Sequence, residues 1–408
     1  MRSSGSTSEQ SRIYNERIIL QLIRQTPGLS RVHIAKQTGL SSQTISVITS
    51  SLLERELLKI DGKVRGRRGQ PSVQLSINKQ GAYGVGINVD RDHISAALLD
   101  FSGQCVLSLE RTVSFPTEKI AKDIAQELIS EVKTRLQNDW AKVQGIGLAK
   151  PDYMDAWLDS LVTNTEQRED LVGLQAELIY WQSPAFETWL SEQTCLPCYK
   201  ENDAVAAATS ELLFSTGVPR KHFFYLFVSI ACGGSIVTDG ECYSGAHGKA
   251  GSFGLIPTAT GKHGKWILEA LSISSLKRFF NALSIVWPQG DDWNKTENQS
   301  VIMQWTQEVA FEIQPALSAV IALYDPEAIV VGGRLPDVVQ SKLIDAIQSV
   351  LVQQSVLPVP EICSAHADSV AVILGAAVLP LYETFSPQKE LLLLSSSPSL
   401  KRSLSMSV

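Results

Sequence analysis

Apolar positions in residues 1–80 follow a helical period and then a strand period. Three helical segments come first, and in the earliest the predicted buried positions are Ile18, Ile19, Leu22 and Ile23. Ser30 and Ser41 are predicted to cap the second and third helices, with Gly39 ending the second. Two alternating segments then flank the sequence GKVRGRRGQ. This pattern predicts a winged helix-turn-helix.

The third helical segment, SSQTISVITSSLLERELL, presents small polar side chains opposite its apolar face. The second helix of a helix-turn-helix lies in the major groove, where such side chains meet base edges. Arginines of the wing pair with phosphates or enter a narrow minor groove. The predicted DNA contacts are Ser42, Gln43, Thr44, Ser46, Arg65, Arg67 and Arg68. The structural alternative is a three-helix packing module with a solvated basic loop.

From Tyr83 onward, short apolar runs alternate with helical periods over the rest of the chain. The run GVGINVDRDHISAALLDFSGQCVLS predicts consecutive strands with a hairpin turn at Ser102-Gly103. FFYLFVSIACGGSIVTDG and AIVVGGRLP contain further strands of the buried type. Strand-helix alternation of this length predicts an α/β body in two lobes with a cleft.

Charge divides the chain in the same place. Residues 1–79 hold 13 Lys+Arg and 5 Asp+Glu, a net charge of +8, whereas the whole chain carries −6. A basic head on an acidic body favours a polyanionic partner for the head. Six cysteines without a secretory signal do not indicate a disulfide framework. The longest apolar run, from Val370, is interrupted by Gly375 and Pro380, so we predict a cytoplasmic protein without a membrane span.

Six segments, in order, resemble the ROK family of repressors, sugar kinases and proteins of unassigned function. They are GRRGQPSVQL, GIGLAKPDYMD, ENDAVAAATSE, SGAHGKAGSFG, DPEAIVVGG and LGAAVL. The resemblance covers residues 13–382 and implies a two-lobed, actin-like body of the sugar-kinase type. A winged helix-turn-helix in front of that body is similar to the family's transcriptional-regulator branch, because the family's kinases lack this head.

The resemblance also divides the chain into four parts. Residues 1–80 are the predicted DNA-binding domain, and residues 81–200 form lobe 1, completed by a helix near 373–385. Residues 201–372 form lobe 2, with the effector cleft and the dimer surface. Residues 386–408, rich in Ser and Leu, are predicted to be a disordered tail.

Phosphoryl transfer needs glycine-rich turns around the phosphates and a base near the sugar hydroxyl. The family's kinases have an Asp-x-Gly-Gly-Thr loop, but residues 88–95, NVDRDHIS, contain no glycine and place Asp90 and Asp92 there. Two carboxylates repel a triphosphate. We therefore predict no catalytic residue and no cofactor, with Asp203 a base that has no phosphoryl donor. A sugar kinase with a DNA-binding head is the alternative.

In the family, an Asn-Asp pair hydrogen-bonds sugar hydroxyls, and here Asn202 and Asp203 are intact. A capping role for Asn202 is the structural alternative. The family's Gly-Glu-x-Gly-His segment has become GSFGL, which puts Ser252 in place of Glu and Leu255 in place of His. The predicted effector contacts are Lys150, Asn202, Asp203, His247 and Ser252.

The family's cysteine-rich zinc segment is replaced by TGKHGKWILEAL, which contains no Cys. His263 alone cannot hold a tetrahedral zinc, so no metal is predicted, and packing around Trp266 replaces it. Together these features predict a repressor of carbohydrate-related genes that binds operator DNA as a dimer or tetramer. Its effector is a sugar, a sugar phosphate or another carbohydrate. A regulator sequestered by another protein, without a small ligand, is the third possibility.

Overall fold

The computed structural model describes residues 8–64, 72–113, 115–152, 179–215, 220–367 and 369–387. Within these ranges the strands form one three-stranded sheet and two five-stranded sheets. Across the same ranges, no helix is both long and apolar enough to cross a bilayer. Most of the predicted tail, residues 388–408, lies outside the described part of the chain.

The N-terminal part is a three-helix unit with a small antiparallel sheet of order β1-β3-β2. The caps predicted from the sequence are confirmed: the Ser30 and Ser41 hydroxyls accept backbone hydrogen bonds, and Gly39 has φ 71°. The elements are α1 (Ser8–Gln25), β1 (Leu29–Ser30), α2 (Arg31–Thr38), α3 (Ser42–Glu54), β2 (Leu58–Val64) and β3 (Ser72–Ile77).

One detail of α1 differs from the prediction. Its buried residues are Ile19, Leu20 and Ile23, whereas Ile18 and Leu22 are only partly buried. The buried stripe is displaced because α1 packs against the body as well as against its own unit.

The first large sheet has the strand order β6-β5-β4-β7-β8, with β4, β5 and β6 antiparallel and β4, β7 and β8 parallel. Alternate residues of β4 face two different layers. Val85 and Ile87 pack in the core that contains α4, whereas Gly84 and Gly86 lie against the last helix. The elements are β4 (Tyr83–Val89), β5 (His93–Asp100), β6 (Cys105–Thr112), α4 (Glu118–Leu136), β7 (Val143–Ala149), α5 (Ala185–Thr194) and β8 (Cys198–Glu201).

The second large sheet has the order β11-β10-β9-β12-β13, with β9, β12 and β13 parallel. Every residue of β9 is buried, because Phe224 and Leu226 face one core and Tyr225 and Phe227 face another. The elements are α6 (Asp203–Phe214), β9 (Phe223–Val228), β10 (Cys232–Thr238), β11 (Glu241–Cys242), α7 (Ile267–Ala270), α8 (Ile273–Ala282), α9 (Thr296–Tyr324), β12 (Ala328–Gly333), α10 (Asp337–Gln354) and β13 (Glu361–Ser364).

The last helix, α11 (Ala371–Phe385), returns to the first large sheet and packs on β4, β7 and α6. Small residues allow backbones to approach closely at each of these contacts. A Cβ on Gly147 of β7 would collide with the carbonyl of Ala376, and one on Gly375 would collide with the carbonyl of Ala206 in α6. Helix α11 therefore lies in close contact with both α6 and the sheet.

The N-terminal unit shares an apolar core with this part of the body. Ile19 and Ile23 of α1 belong to the same buried cluster as Leu381 and Phe385 of α11. The Phe101 and Phe385 rings lie 4.6 Å apart, and the Arg24 guanidinium stacks 5.0 Å from the Phe101 ring and donates to the Phe101 carbonyl at 3.2 Å. The Arg17 guanidinium donates to the Ser386 carbonyl at 2.9 Å. These contacts fix the unit on the body.

Candidate functional site

The outward face of α3 carries the side chains predicted to contact DNA. Ser42, Gln43 and Ser46 are exposed, and Thr44 is partly buried. Two of their hydroxyls already have partners within the helix. The Thr44 hydroxyl lies 2.8 Å from the Ser41 hydroxyl, and the Ser46 hydroxyl donates to the Ser42 carbonyl at 2.8 Å. Gln43 therefore offers the longest hydrogen-bonding side chain on this face.

The predicted wing arginines, Arg65, Arg67 and Arg68, lie outside the described residues. The strands on either side of them, β2 and β3, pair antiparallel. Within the described part of the unit, the Arg31 guanidinium donates to the Thr49 hydroxyl at 2.7 Å and links α2 to α3. This link fixes the angle between the two helices of the helix-turn-helix.

A cavity of about 320 Å³ opens between the two large sheets, beyond the carboxyl ends of β7, β8 and β9. This is where ligands bind in open α/β sheets. Its wall includes three of the predicted effector contacts among a larger set of polar and charged residues. These lining residues are Arg91, Asp152, Glu201, Asn202, Asp203, Ser229, Ser244, Lys249 and Ser252.

Asn202 and Asp203 form the start of α6 at the floor of this cavity. The Asn202 side-chain oxygen accepts from the Ala204 N–H at 2.9 Å, so Asn202 is the N-cap of α6 as well as a lining residue. The Asp203 carboxylate accepts from the same N–H at 2.8 Å. Burial, together with the nearby charge of Asp90, raises the pKa of Asp203 to about 7. Asp203 is therefore partly protonated near neutral pH and can donate or accept a hydrogen bond.

Asp152 is a cavity residue that the sequence analysis did not select. Its carboxylate lies 3.2 Å from the Lys249 ammonium and 3.6 Å from that of Lys200. The ion pair with Lys249 joins the loop after β7 to the loop of residues 244–255, and both loops contribute residues to the cavity wall. The sequence signal at this position is a charged residue three positions after the buried strand β7 and next to Pro151.

Two predicted effector contacts lie away from the cavity wall. Lys150, which we expected at the cleft mouth, is only 3 % exposed. Its ammonium lies 2.9 Å from the Glu187 carboxylate and donates to the Trp181 carbonyl at 2.9 Å. This buried ion pair holds α5 against β7, which explains why Lys150 cannot point into the cleft. His247 is exposed on its loop, and the next residues, Gly248 and Lys249, are the ones that line the cavity.

The turn between β4 and β5, where the family's kinases bind phosphate, is filled by its own side chains. Asp90, Arg91 and His93 are all buried. The Asp90 carboxylate accepts from the Arg91 N–H at 2.7 Å and from the Ser229 hydroxyl at 3.1 Å, and His93 lies 2.6 Å from the Asp92 carboxylate. The carboxylates predicted to repel a triphosphate thus have hydrogen-bond partners within the protein.

A second contact crosses between the lobes beside this turn. The Arg334 guanidinium, directly after β12, binds both oxygens of Glu110 at 2.8 and 3.1 Å and lies 3.3 Å from His93. Asp90, Asp92 and His93 have ligand atoms within 4.8 Å of one another. The Arg334 and Arg91 guanidiniums lie against these three side chains and would repel a metal cation. The cluster is therefore an ion network and not a cation site.

The segment that corresponds to the family's zinc site has different contacts. His263 lies 2.6 Å from the Glu308 carboxylate, which also binds the Lys262 ammonium at 2.7 Å. Thr260 donates to Glu312 through both its N–H and its hydroxyl. In the described residues, hydrogen bonds from α9 thus hold this segment in place.

A winged helix-turn-helix joined to a two-lobed α/β body with a cleft defines a DNA-binding unit on an actin-like body of the sugar-kinase type. The chain belongs to the ROK family, whose sequence profile matches residues 84–382. Residues 14–59 match the profile of winged helix-turn-helix DNA-binding domains.

Individual relatives extend this similarity over most of the chain. It is 26% identical over 387 residues to the uncharacterized protein y4fQ of Sinorhizobium fredii, covering 91% of each chain. It is 24% identical to the xylose repressor of Bacillus spizizenii, covering 78% of this chain and 81% of the repressor. A solved ROK family transcriptional regulator, a homolog of the E. coli Mlc protein, superposes with a TM-score of 0.68 at 20% identity, covering 94% and 99% of the two chains.

Proposed function

We propose that this protein is a DNA-binding repressor of carbohydrate-related genes, whose cleft binds a sugar or sugar-derived effector. The observation that carries the proposal is the combination of an exposed polar face on α3 with a cleft that keeps Asn202 and Asp203 but has no open phosphate loop. Similarity to a xylose repressor supports the link to carbohydrate.

Operator binding uses two copies of the head. Helix-turn-helix proteins bind as symmetric pairs, with one recognition helix in the major groove of each half-site. In each copy α3 supplies Ser42, Gln43, Thr44 and Ser46 to base edges, and Arg65, Arg67 and Arg68 supply charge to phosphates or the minor groove. A homodimer is the smallest assembly that meets this requirement.

The effector site lies at the start of α6, where Asn202 and Asp203 present an amide and a carboxyl to ligand hydroxyls. Ser252 and the Asp152–Lys249 ion pair contribute further polar groups to the cavity wall. A partly protonated Asp203 suits a hydroxylated ligand, because a hydroxyl both donates and accepts hydrogen bonds.

The contacts of α11 provide a route from this site to the head. Helix α6 begins at the cavity and packs against α11 at Gly375. At the end of α11, Phe385 belongs to the same buried cluster as Ile19 and Ile23 of α1, and the Ser386 carbonyl accepts from Arg17. A ligand that favours one arrangement of the lobes therefore biases the position of the head. The only requirement is that its affinity differs between the two arrangements.

The second candidate function is a sugar kinase with a DNA-binding head. One observation favours it: Asp203, with a pKa of about 7, has the acidity of a general base working near neutral pH. Against it, Asp90, Arg91 and His93 occupy the turn where a phosphate loop is needed. We therefore propose that the protein has no catalytic activity.

Binding measurements with the full-length protein test the proposal. A fragment of DNA from upstream of its own gene should bind with nanomolar to micromolar affinity, and a sugar or sugar phosphate that raises the melting temperature should weaken that binding. Asp203→Asn should bind DNA as the wild type does and respond less to the ligand.

Three other outcomes would contradict parts of the proposal. Transfer of phosphate from ATP to a sugar, abolished by Asp203→Asn, would establish the kinase. Tight DNA binding that no sugar or sugar phosphate alters would favour control by a partner protein, which a pull-down from cells grown with and without sugars would identify. Absence of any DNA binding would remove the regulator assignment.

A further inference from the structure

Helix α3 exposes one large apolar side chain on its outward face. Val47 is 62% exposed, while Ile45, Ile48 and Leu52 of the same helix form the core of the head. The exposed face of α3 around Val47 consists of Gln43, Ser46 and Ser50. Val47 therefore stands among neutral polar side chains on the surface that the proposed function directs into the major groove.

Packing within the head does not account for a valine at this position. A β-branched residue on an exposed helix face has a lower helix propensity than Ala, Lys or Glu, and here its side chain points away from the core. Single exposed apolar residues are common on protein surfaces, so exposure alone assigns no role. The position of Val47 on the recognition helix is what distinguishes it.

The hydrogen-bonding capacity of the same face is limited. The hydroxyls of Thr44 and Ser46 already bond within the helix, and α3 carries no charged side chain before Glu54. Gln43 lies four residues before Val47, so the two side chains are neighbours on one helix face, with Cβ atoms about 5–6 Å apart. This face thus offers the amide of Gln43, the hydroxyl of Ser50 and, one turn beyond Gln43, the apolar side chain of Val47.

We propose that Val47 contacts the 5-methyl group of a thymine, next to or one base pair beyond the base that Gln43 contacts, and so determines operator sequence. This inference rests on the proposed DNA-binding function. The thymine methyl is the apolar group that the major groove presents, and a Gln amide bonds to adenine N6 and N7. A cytosine at the same position has only a hydrogen at C5, so the methyl contact is lost, and its amino group, in place of thymine O4, would find no hydrogen-bond partner in Val47. Val47 therefore selects for A·T over G·C at that step.

The test removes the methyl group and the valine separately. Duplexes selected from a randomised pool by the full-length protein define its operator, and each thymine is then replaced by deoxyuridine, which lacks only the 5-methyl group. At one thymine position in each half-site, replacement by deoxyuridine should weaken the binding of the wild type about fourfold. Val47→Ala should bind the thymine operator more weakly and show no further loss with deoxyuridine at that position.

Val352→Ala is the matched control, because Val352 is also 62% exposed but lies on α10 of the body. It should keep the full response of the wild type to deoxyuridine. A circular dichroism spectrum identical to that of the wild type would establish that Val47→Ala is folded, as the exposure of Val47 leads us to expect.

Two results would overturn the inference, and they differ from each other. In the first, the wild type selects an operator, but the wild type and Val47→Ala respond equally to deoxyuridine at every thymine position. Val47 then does not contact a thymine methyl, and the DNA-binding function stands. If the wild type selects no DNA at all, both the function and the inference fall.

Discussion

At the scale of single residues, Asp203 is a carboxyl whose pKa is strongly raised by its surroundings. Its pKa of about 7 lies well above that of an Asp in water, because burial and the charge of Asp90 disfavour the carboxylate. At a pH between the pKa of Asp203 in the unfolded chain and its pKa of about 7 in the fold, the folded protein keeps a proton on Asp203 that the unfolded chain has released. The fold therefore becomes less stable as this difference develops with rising pH.

Replacement of Asp203 by Asn should stabilise the protein more at about pH 8 than at about pH 5. A carboxyl whose pKa is raised in the folded state contributes its full stability below its unfolded pKa and loses it as pH rises to about 7. Asn carries no charge, so the gain in melting temperature should grow over this window and become constant above it. The limiting gain in the free energy of unfolding is of the order of a few kcal/mol.

Thermal unfolding of both proteins across this pH range measures the effect. Asp123→Asn provides the control, because Asp123 is an exposed carboxyl on α4 paired with Lys119, and its replacement should change the melting temperature little at each pH. A gain for Asp203→Asn that shrinks as pH rises would contradict the assigned direction.

At the scale of elements, α11 lies unusually close to α6. Gly375 leaves no space for a Cβ because the Ala206 carbonyl occupies it. We expect Gly375→Ala to destabilise the protein by about 1–3 kcal/mol, since overpacking forces the two helices apart. Urea unfolding monitored by circular dichroism would measure the loss.

Gly233→Ala is a suitable comparison for this substitution. A Cβ at Gly233, in β10, would make an ordinary contact 3.5 Å from the Ala204 Cβ. It should therefore unfold at a urea concentration close to that of the wild type. Equal losses for the two variants would mean that the α6–α11 contact is not unusually close.

Elements fixed by neighbouring residues could be predicted from the sequence, whereas side-chain positions fixed by distant ones could not. Ser30, Gly39 and Ser41 cap helices through residues a few positions away, so their roles follow from the local pattern. Lys150 is buried by Glu187, and the buried stripe of α1 depends on α11 at the other end of the chain. Nothing in the sequence around either residue specifies those partners.

The candidate site divides in the same way. Asn202 and Asp203 were found from their motif at a strand-to-helix junction, and both line the cavity. The contact of Ser229 with Asp90 and that of Arg334 with Glu110 join residues far apart in the sequence. The internal hydrogen bonds of the β4–β5 turn include such contacts, whereas the sequence alone indicated only the repulsion between its carboxylates and a triphosphate.

At the scale of the whole molecule, the head and body share one core through Phe385. Phe385→Ala removes the ring that packs on Phe101 and should cost about 3–5 kcal/mol of local stability. Amide hydrogens of α1 should then exchange faster, while those of β9 and β12, in the second sheet, keep their wild-type rates. Hydrogen exchange followed by mass spectrometry would resolve the two regions.

Phe311→Ala tests whether faster exchange of α1 requires loss of a ring at the contact between head and body. Phe311 lies on α9 of the body and is exposed, so its loss should leave the exchange of α1 unchanged. Unchanged exchange of α1 in Phe385→Ala would show that the head is held on the body by its other contacts.

The contact between the N-terminal head and α11 also has a consequence during synthesis, because the two partners are made at different times. Arg17 and Ser386, which bond to each other, are 369 residues apart in the chain. At 5–20 residues per second, roughly 20–70 s separate the translation of α1 from that of the helix end that anchors it. A chain that stops before α11 lacks the contact of Arg17 with Ser386 and the part of the shared core that Leu381 and Phe385 supply. The head can therefore dock on the body only after residue 386 has been translated.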